Sequence, residues 1–137
     1  MTSSLTETTE HWGVALEGRE TLMLTIDNRV TLHLHGVETY EGSIILETPF
    51  TVRAANTDPV IVEPEDKSSL LPVLACFGKA VEAISVSRLD GALRVTFGDG
   101  TVLDARADPN YEAWEVNAPG VKIVSSPGGG EPTLFEQ

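Results

Sequence analysis

Apolar and polar residues alternate in short runs along most of the chain, and the dominant period is two. In Val30-Thr31-Leu32-His33-Leu34 the apolar side chains share one face and Thr31, His33 and His35 the other, as expected of a half-buried strand. The preceding run, Leu22 to Ile26, is joined to it through Asp27-Asn28, which predicts a hairpin. A further strand is predicted over Gly42 to Glu47, with Pro49 disturbing its far end, and a short one over Val60 to Val62 after the Asn56 to Pro59 turn. Val81 to Ser87, Ala92 to Phe97 and Thr101 to Ala105 are separated by Asp90-Gly91 and by Gly98-Asp99-Gly100, the pattern of a three-strand meander. Its middle strand should send Leu93, Val95 and Phe97 inward and Ala92, Arg94 and Thr96 outward. Glu112 to Val116, Val121 to Val124 and Thr133 to Phe135 complete the predicted strands, with Trp114 and Val116 on one face and Glu115 opposite.

One stretch departs from this period. Glu65 to Phe77 has acidic residues at its start, a compact apolar group and Gly78 at its end, which predicts one short helix near Ser69 to Phe77; Pro72 is compatible with the first turn. Residues 1–10 are polar and offer little to bury, so they are expected to form a flexible leader, with 11–137 a single globular domain first anchored by Trp12. The fold class expected is α+β, mainly β: an antiparallel sheet or partly open barrel built from hairpins, with one short helix. The hairpins of the two halves do not match well enough to indicate a duplication.

Charge narrows the choice of partners. Among 137 residues, nine Lys and Arg against 21 Asp and Glu give a net charge of −12, and no basic patch is visible in the sequence. Binding to nucleic acid is thereby disfavoured. No apolar run is long enough to cross a bilayer and the first residues lack the form of an export signal. The single cysteine, Cys76, sits among apolar neighbours and is expected to pack in the core. Together these features lead to the expectation of a soluble, cytoplasmic protein that requires no cofactor.

The candidate chemistry is sparse. His33 and His35 share a strand face and could hold a metal if a third ligand converged, His11 included, but two ligands fall short of a stable zinc site and no metal site is assigned. Glu112 and Glu115, with Asp108 nearby, would offer paired carboxylates for acid–base chemistry if folding gathered them around a cleft. Three positions apart on a strand they point to opposite faces, which weakens that reading in favour of a solvated or protein-binding surface. No serine lies in a Gly-x-Ser-x-Gly motif, and Gly128-Gly129-Gly130 lacks the Lys-Ser or Lys-Thr of a phosphate-binding loop. No catalytic residue is assigned. Trp12, Tyr40, Tyr111 and Trp114 are the larger aromatic anchors; core packing is the plain reading of both tryptophans. An exposed Trp114 beside Tyr111, Glu112 and Glu115 would instead centre an acidic protein-recognition patch, and these four are the candidate binding residues.

Phe97-Gly98-Asp99-Gly100, Glu112-Ala113-Trp114 and Pro127-Gly128-Gly129, in this order, resemble a family of small, mostly actinobacterial proteins of unknown function over roughly residues 70 to 135. The resemblance implies a cytoplasmic β-rich domain and brings no established catalytic residue. A looser similarity in acidic, hairpin-rich make-up links the chain to toxin-neutralising immunity proteins and transfers no binding residue.

The function expected from these readings is a non-enzymatic protein-binding or accessory domain, whose partner is a protein with a basic surface or a second copy in a homodimer. The alternative is a small metal-dependent hydrolase using His33 and His35 with an acidic residue. Burial or exposure of Trp114 separates the ways in which the patch could work.

Overall fold

The computed structural model describes residues 4–36 and 40–136; the side chains of Tyr40 and Glu41 lie outside that description, so the proposed anchor role of Tyr40 does too. Among the described residues thirteen strands, all paired antiparallel, form two sheets. In chain order they are β1 (Leu5–Glu7), β2 (His11–Val14), β3 (Glu20–Ile26), β4 (Val30–His35), β5 (Tyr40–Leu46), β6 (Phe50–Arg53), β7 (Val60–Val62), β8 (Val81–Ser87), β9 (Leu93–Phe97), β10 (Val102–Ala105), β11 (Trp114–Ala118), β12 (Val121–Val124) and β13 (Thr133–Glu136). The first sheet runs β1-β2-β8-β9-β10-β6-β7 and the second β13-β12-β11-β5-β4-β3. Their inward-facing side chains form one contiguous buried cluster, which includes Leu32, Leu34, Ile44, Leu93, Phe97 and Trp114. The expected mainly antiparallel architecture is observed. It is not a closed barrel, because each sheet keeps two terminal strands.

The hairpins form where turn chemistry interrupts the alternation. At Asp27 the carboxylate accepts the Arg29 N–H at 2.9 Å, closing the β3–β4 turn. Between β8 and β9, Gly91 has φ +76°, and a Cβ there would stand 2.9 Å from the Gly130 carbonyl oxygen. Both constraints select glycine. The alternation also sorts faces as expected: Val30, Leu32 and Leu34 are buried, as are Leu93, Val95 and Phe97, whereas Arg94 faces solvent.

Three local expectations are corrected. The helix α1 covers only Leu71–Leu74, after a 3-10 turn at Lys67–Ser69 in which the Asp66 carboxylate accepts the Ser68 N–H. Beyond Leu74 the chain tightens into i→i−3 turns, the Ala75, Cys76 and Phe77 N–H groups donating to the Pro72, Val73 and Leu74 carbonyls, until Gly78, at φ +81°, turns its N–H to the Thr21 carbonyl 2.7 Å away and ties the segment to β3. Pro72 does occupy the first turn. In the stretch read as a leader, Leu5–Glu7 pairs with β2 as a terminal strand, because Trp12 offers a buried anchor whose indole N–H donates to Glu7 Oε1 at 2.9 Å. Finally, β11 begins two residues later than predicted: Glu112 and Ala113 belong to the connection that seats Trp114. Strands β2 and β6 were not singled out by the alternation at all. Among the described residues no helix is long and apolar enough to cross a membrane.

Candidate functional site

The region around Trp114 is assembled from three loops that are distant in sequence. Trp114 is fully buried (0% exposed), and its indole N–H donates to the Gly91 carbonyl in the β8–β9 turn at 3.0 Å, joining the second sheet to the first. Its backbone is held by Ser125, just past β12. Ser125 Oγ accepts the Ala113 N–H at 2.7 Å and the Trp114 N–H at 3.3 Å, while the Ser125 N–H donates to the Trp114 carbonyl. A buried hydroxyl thus satisfies two amides at the point where β11 starts. The Gly128 N–H donates to the Asp108 carbonyl, closing the glycine-rich loop against the same junction. Trp114 is therefore a core residue and cannot be the exposed centre of a recognition patch.

The four residues expected to form that patch are divided by the fold. The Asp108 carboxylate accepts the N–H groups of Asn110 and Tyr111 at 2.9 and 3.1 Å, and this turn carries Tyr111 outward, 68% exposed. Tyr111 and Glu112 line an open depression of about 740 Å³ together with Asp27, Arg29, Glu47 and Glu65. Four carboxylates thus surround one exposed aromatic ring, with Arg29 as the counter-charge. Glu115 is elsewhere: it lies across the pleat from Trp114, accepts from Asn117 Nδ2 at 2.8 Å and stands 3.8 Å from Lys122 Nζ. Only Tyr111 and Glu112 of the four come together.

Across the ridge made by Thr48-Pro49 and Pro109-Tyr111 lies a larger groove of about 1080 Å³, on the outward face of β6, β9 and β10. Three of the nine cationic residues line it: Arg53, Arg94 and Arg106. Nothing in the sequence marked them, because they are spread over 53 positions and meet only through strand register, which sets Asp104 opposite both Arg94 and Thr51 and Val102 opposite Arg53. Arg94 grips Asp104 through two hydrogen bonds, of 2.8 and 3.2 Å. Among the described residues neither Arg53 nor Arg106 forms an ion pair.

The remaining candidates are dispersed. His33 and His35 occupy β4 in the second sheet and His11 occupies β2 in the first. His33 Nε2 is hydrogen bonded to Thr25 Oγ1 at 2.8 Å, and burial, followed by the neighbouring His35, lowers its pKa. His35 borders a shallow depression with Glu17, Arg19 and Glu20. Among the described residues no three His, Cys, Asp or Glu side chains gather in a way that could hold a metal ion. Cys76 is fully buried, and burial raises its thiol pKa to about 11, which keeps the sulfur protonated and unreactive near neutral pH. Trp12 is buried with the Arg88 guanidinium 4.9 Å above its ring, a cation–π contact that joins β2 to the β8–β9 turn.

Two neighbouring surface depressions, one lined by four carboxylates and Arg29 and the other by three arginines and three aspartates, thus open on a β-rich, antiparallel two-sheet scaffold. Residues 12–134 match a family of unknown function, DUF6188, and the chain belongs to that family. The match begins at residue 12, well before the stretch from about residue 70 that carries the resemblance in the sequence. No curated protein and no solved structure matches the chain.

Proposed function

We propose that this is a non-enzymatic, cytoplasmic binding domain that engages a protein with a basic surface through the depression centred on Tyr111. The observation that carries this reading is the exposed Tyr111 ring set among Asp27, Glu47, Glu65 and Glu112. An aromatic with a polar tip supplies contact area at low entropic cost, and the surrounding carboxylates steer and orient a cationic partner. The acidic, hairpin-rich make-up shared with toxin-neutralising immunity proteins is in keeping with this reading and assigns no residue.

The test is recovery of partners from native lysate by the wild-type chain and by Tyr111→Ala and Glu112→Lys. A basic protein retained by the wild type and lost from both variants supports the proposal; equal recovery by all three opposes it. Self-association is the competing protein–protein reading, favoured by β3, a terminal strand on which Leu22, Met23 and Ile26 are exposed. Mass by light scattering over a range of concentrations distinguishes the two. A metal-dependent hydrolase acting through His33 and His35 is the weaker alternative, because His33 is engaged by Thr25 and a third ligand is not assembled among the described residues.

A further inference from the structure

We infer that the groove over β6, β9 and β10 is a second binding site, and that it takes an extended acidic segment of a partner protein. Several charges in the groove are already used within the chain. Asp104 is held by the Arg94 fork. The Asp90 carboxylate accepts the Ala92 N–H at 3.0 Å, and this bond, then Ser87, holds its pKa below the usual carboxylate range, with the charge of Arg106 the smallest contribution. Asp108 accepts from Asn110 and Tyr111. Each acidic group lining the groove thus has an internal donor, whereas the guanidinium groups of Arg53 and Arg106 are exposed and without an ion pair among the described residues. The groove therefore offers unspent donors in a chain of net charge −12.

Spacing gives the shape of the occupant. Arg53 is level with Val102 in the β6–β10 register, and Arg106 lies four positions farther along the chain, a separation of about 13 Å at the rise of an extended strand. An extended peptide spans the same distance between residues i and i+4, so carboxylates at that interval meet both guanidinium groups, each able to form a bidentate pair. The lining suits the intervening residues: Pro49, Pro59, Pro109 and the exposed Ile61 provide apolar contact. A nucleic acid would bring repeated phosphates past Asp90, Asp104 and Asp108 and across the acidic ridge side, which opposes it.

The experiment is fluorescence anisotropy with a fluorescein-labelled peptide bearing glutamates at i and i+4 of a β-prone spacer. The comparison probes are the same peptide with glutamines, one with adjacent glutamates, and a single-stranded oligothymidine. We expect the i, i+4 peptide to bind best, to weaken as salt rises, and to lose about tenfold in affinity for each of Arg53→Ala and Arg106→Ala, the scale of one close charge pair. Both arginines are exposed and outside the core, so circular dichroism of the variants should match the wild type. Equal binding of the glutamine or adjacent-glutamate peptide, unchanged binding by the arginine variants, tighter binding of the oligothymidine, or no peptide binding at all would overturn the inference. Tyr111→Ala should leave peptide binding unchanged, which separates this site from the depression across the ridge.

Discussion

The junction around Trp114 and the two depressions beside it share loops but follow opposite rules. Within the junction each polar group that leaves water finds a partner: the indole N–H meets Gly91, and the Ala113 and Trp114 amides meet Ser125. In the depressions, charged groups remain at the surface, and those of Arg53 and Arg106 stay without ion pairs among the described residues. Tyr111 and Trp114, three residues apart, fall on either side of this divide. Asp108 turns the first outward, and Ser125 together with the strand pleat turns the second inward. Proximity in sequence to acidic residues therefore does not make an aromatic a recognition residue; what decides is whether a backbone anchor commits it to the core.

Removing the indole should break the junction most severely. Trp114→Ala is expected to lower unfolding free energy by about 3–5 kcal/mol, the range for a fully buried large aromatic, as read from urea denaturation, whereas Tyr111→Ala should change it little. Similar effects for the two would contradict the division drawn between them. Next in size is Ser125→Ala, which strands buried amides and should cost about 1–3 kcal/mol; a neutral result would mean that water replaces the hydroxyl.

Thr21 sharpens the contrast from the other direction. It is fully buried, and its Oγ1 is the one buried side-chain oxygen without a hydrogen-bond partner among the described residues. Thr21→Val keeps the shape and removes the unmet polar group, so a gain of about 1 kcal/mol is expected, seen as a higher denaturation midpoint. A loss would show that the hydroxyl is used.

The smallest effect concerns the surface. The Lys79 ammonium, then the Thr101 N–H, holds the Asp99 carboxyl at about 2, below its ordinary value of 3.8. Because the folded pKa is depressed, this contribution is complete above the unfolded value and disappears as pH falls through about 2. The pair is substantially exposed, so Asp99→Asn should cost less than about 1 kcal/mol at neutral pH, with the difference from wild type vanishing on the acid side. A difference that persists at the lowest pH would assign the effect to the turn and not to the charge.

Much of the scaffold could be read directly from alternation and turn chemistry. Val81–Ser87 and Val121–Val124 are strands at the predicted bounds, and Asp27-Asn28 and Asp90-Gly91 turn the chain where their chemistry predicts. The β6 strand is harder to read because Pro49 precedes a run of only four residues, and apolar spacing overstates the helix because it does not distinguish α-helical from the tighter i→i−3 turns that follow Leu74. Of the candidate patch, Tyr111 and Glu112 line one depression, and Asp27, Glu47 and Glu65 reach it from other loops, which no local pattern announces.

The sequence by itself determined the β-rich antiparallel class, the inward faces of β4 and β9, the buried thiol and the acidic balance, because each depends on local period or composition. Tertiary structure alone decided that Trp114 bridges the sheets, that Ser125 anchors it, and that Arg53, Arg94 and Arg106 line one groove. Those facts depend on the order and register of strands far apart in the chain, and local periodicity carries no information about which strand lies beside which.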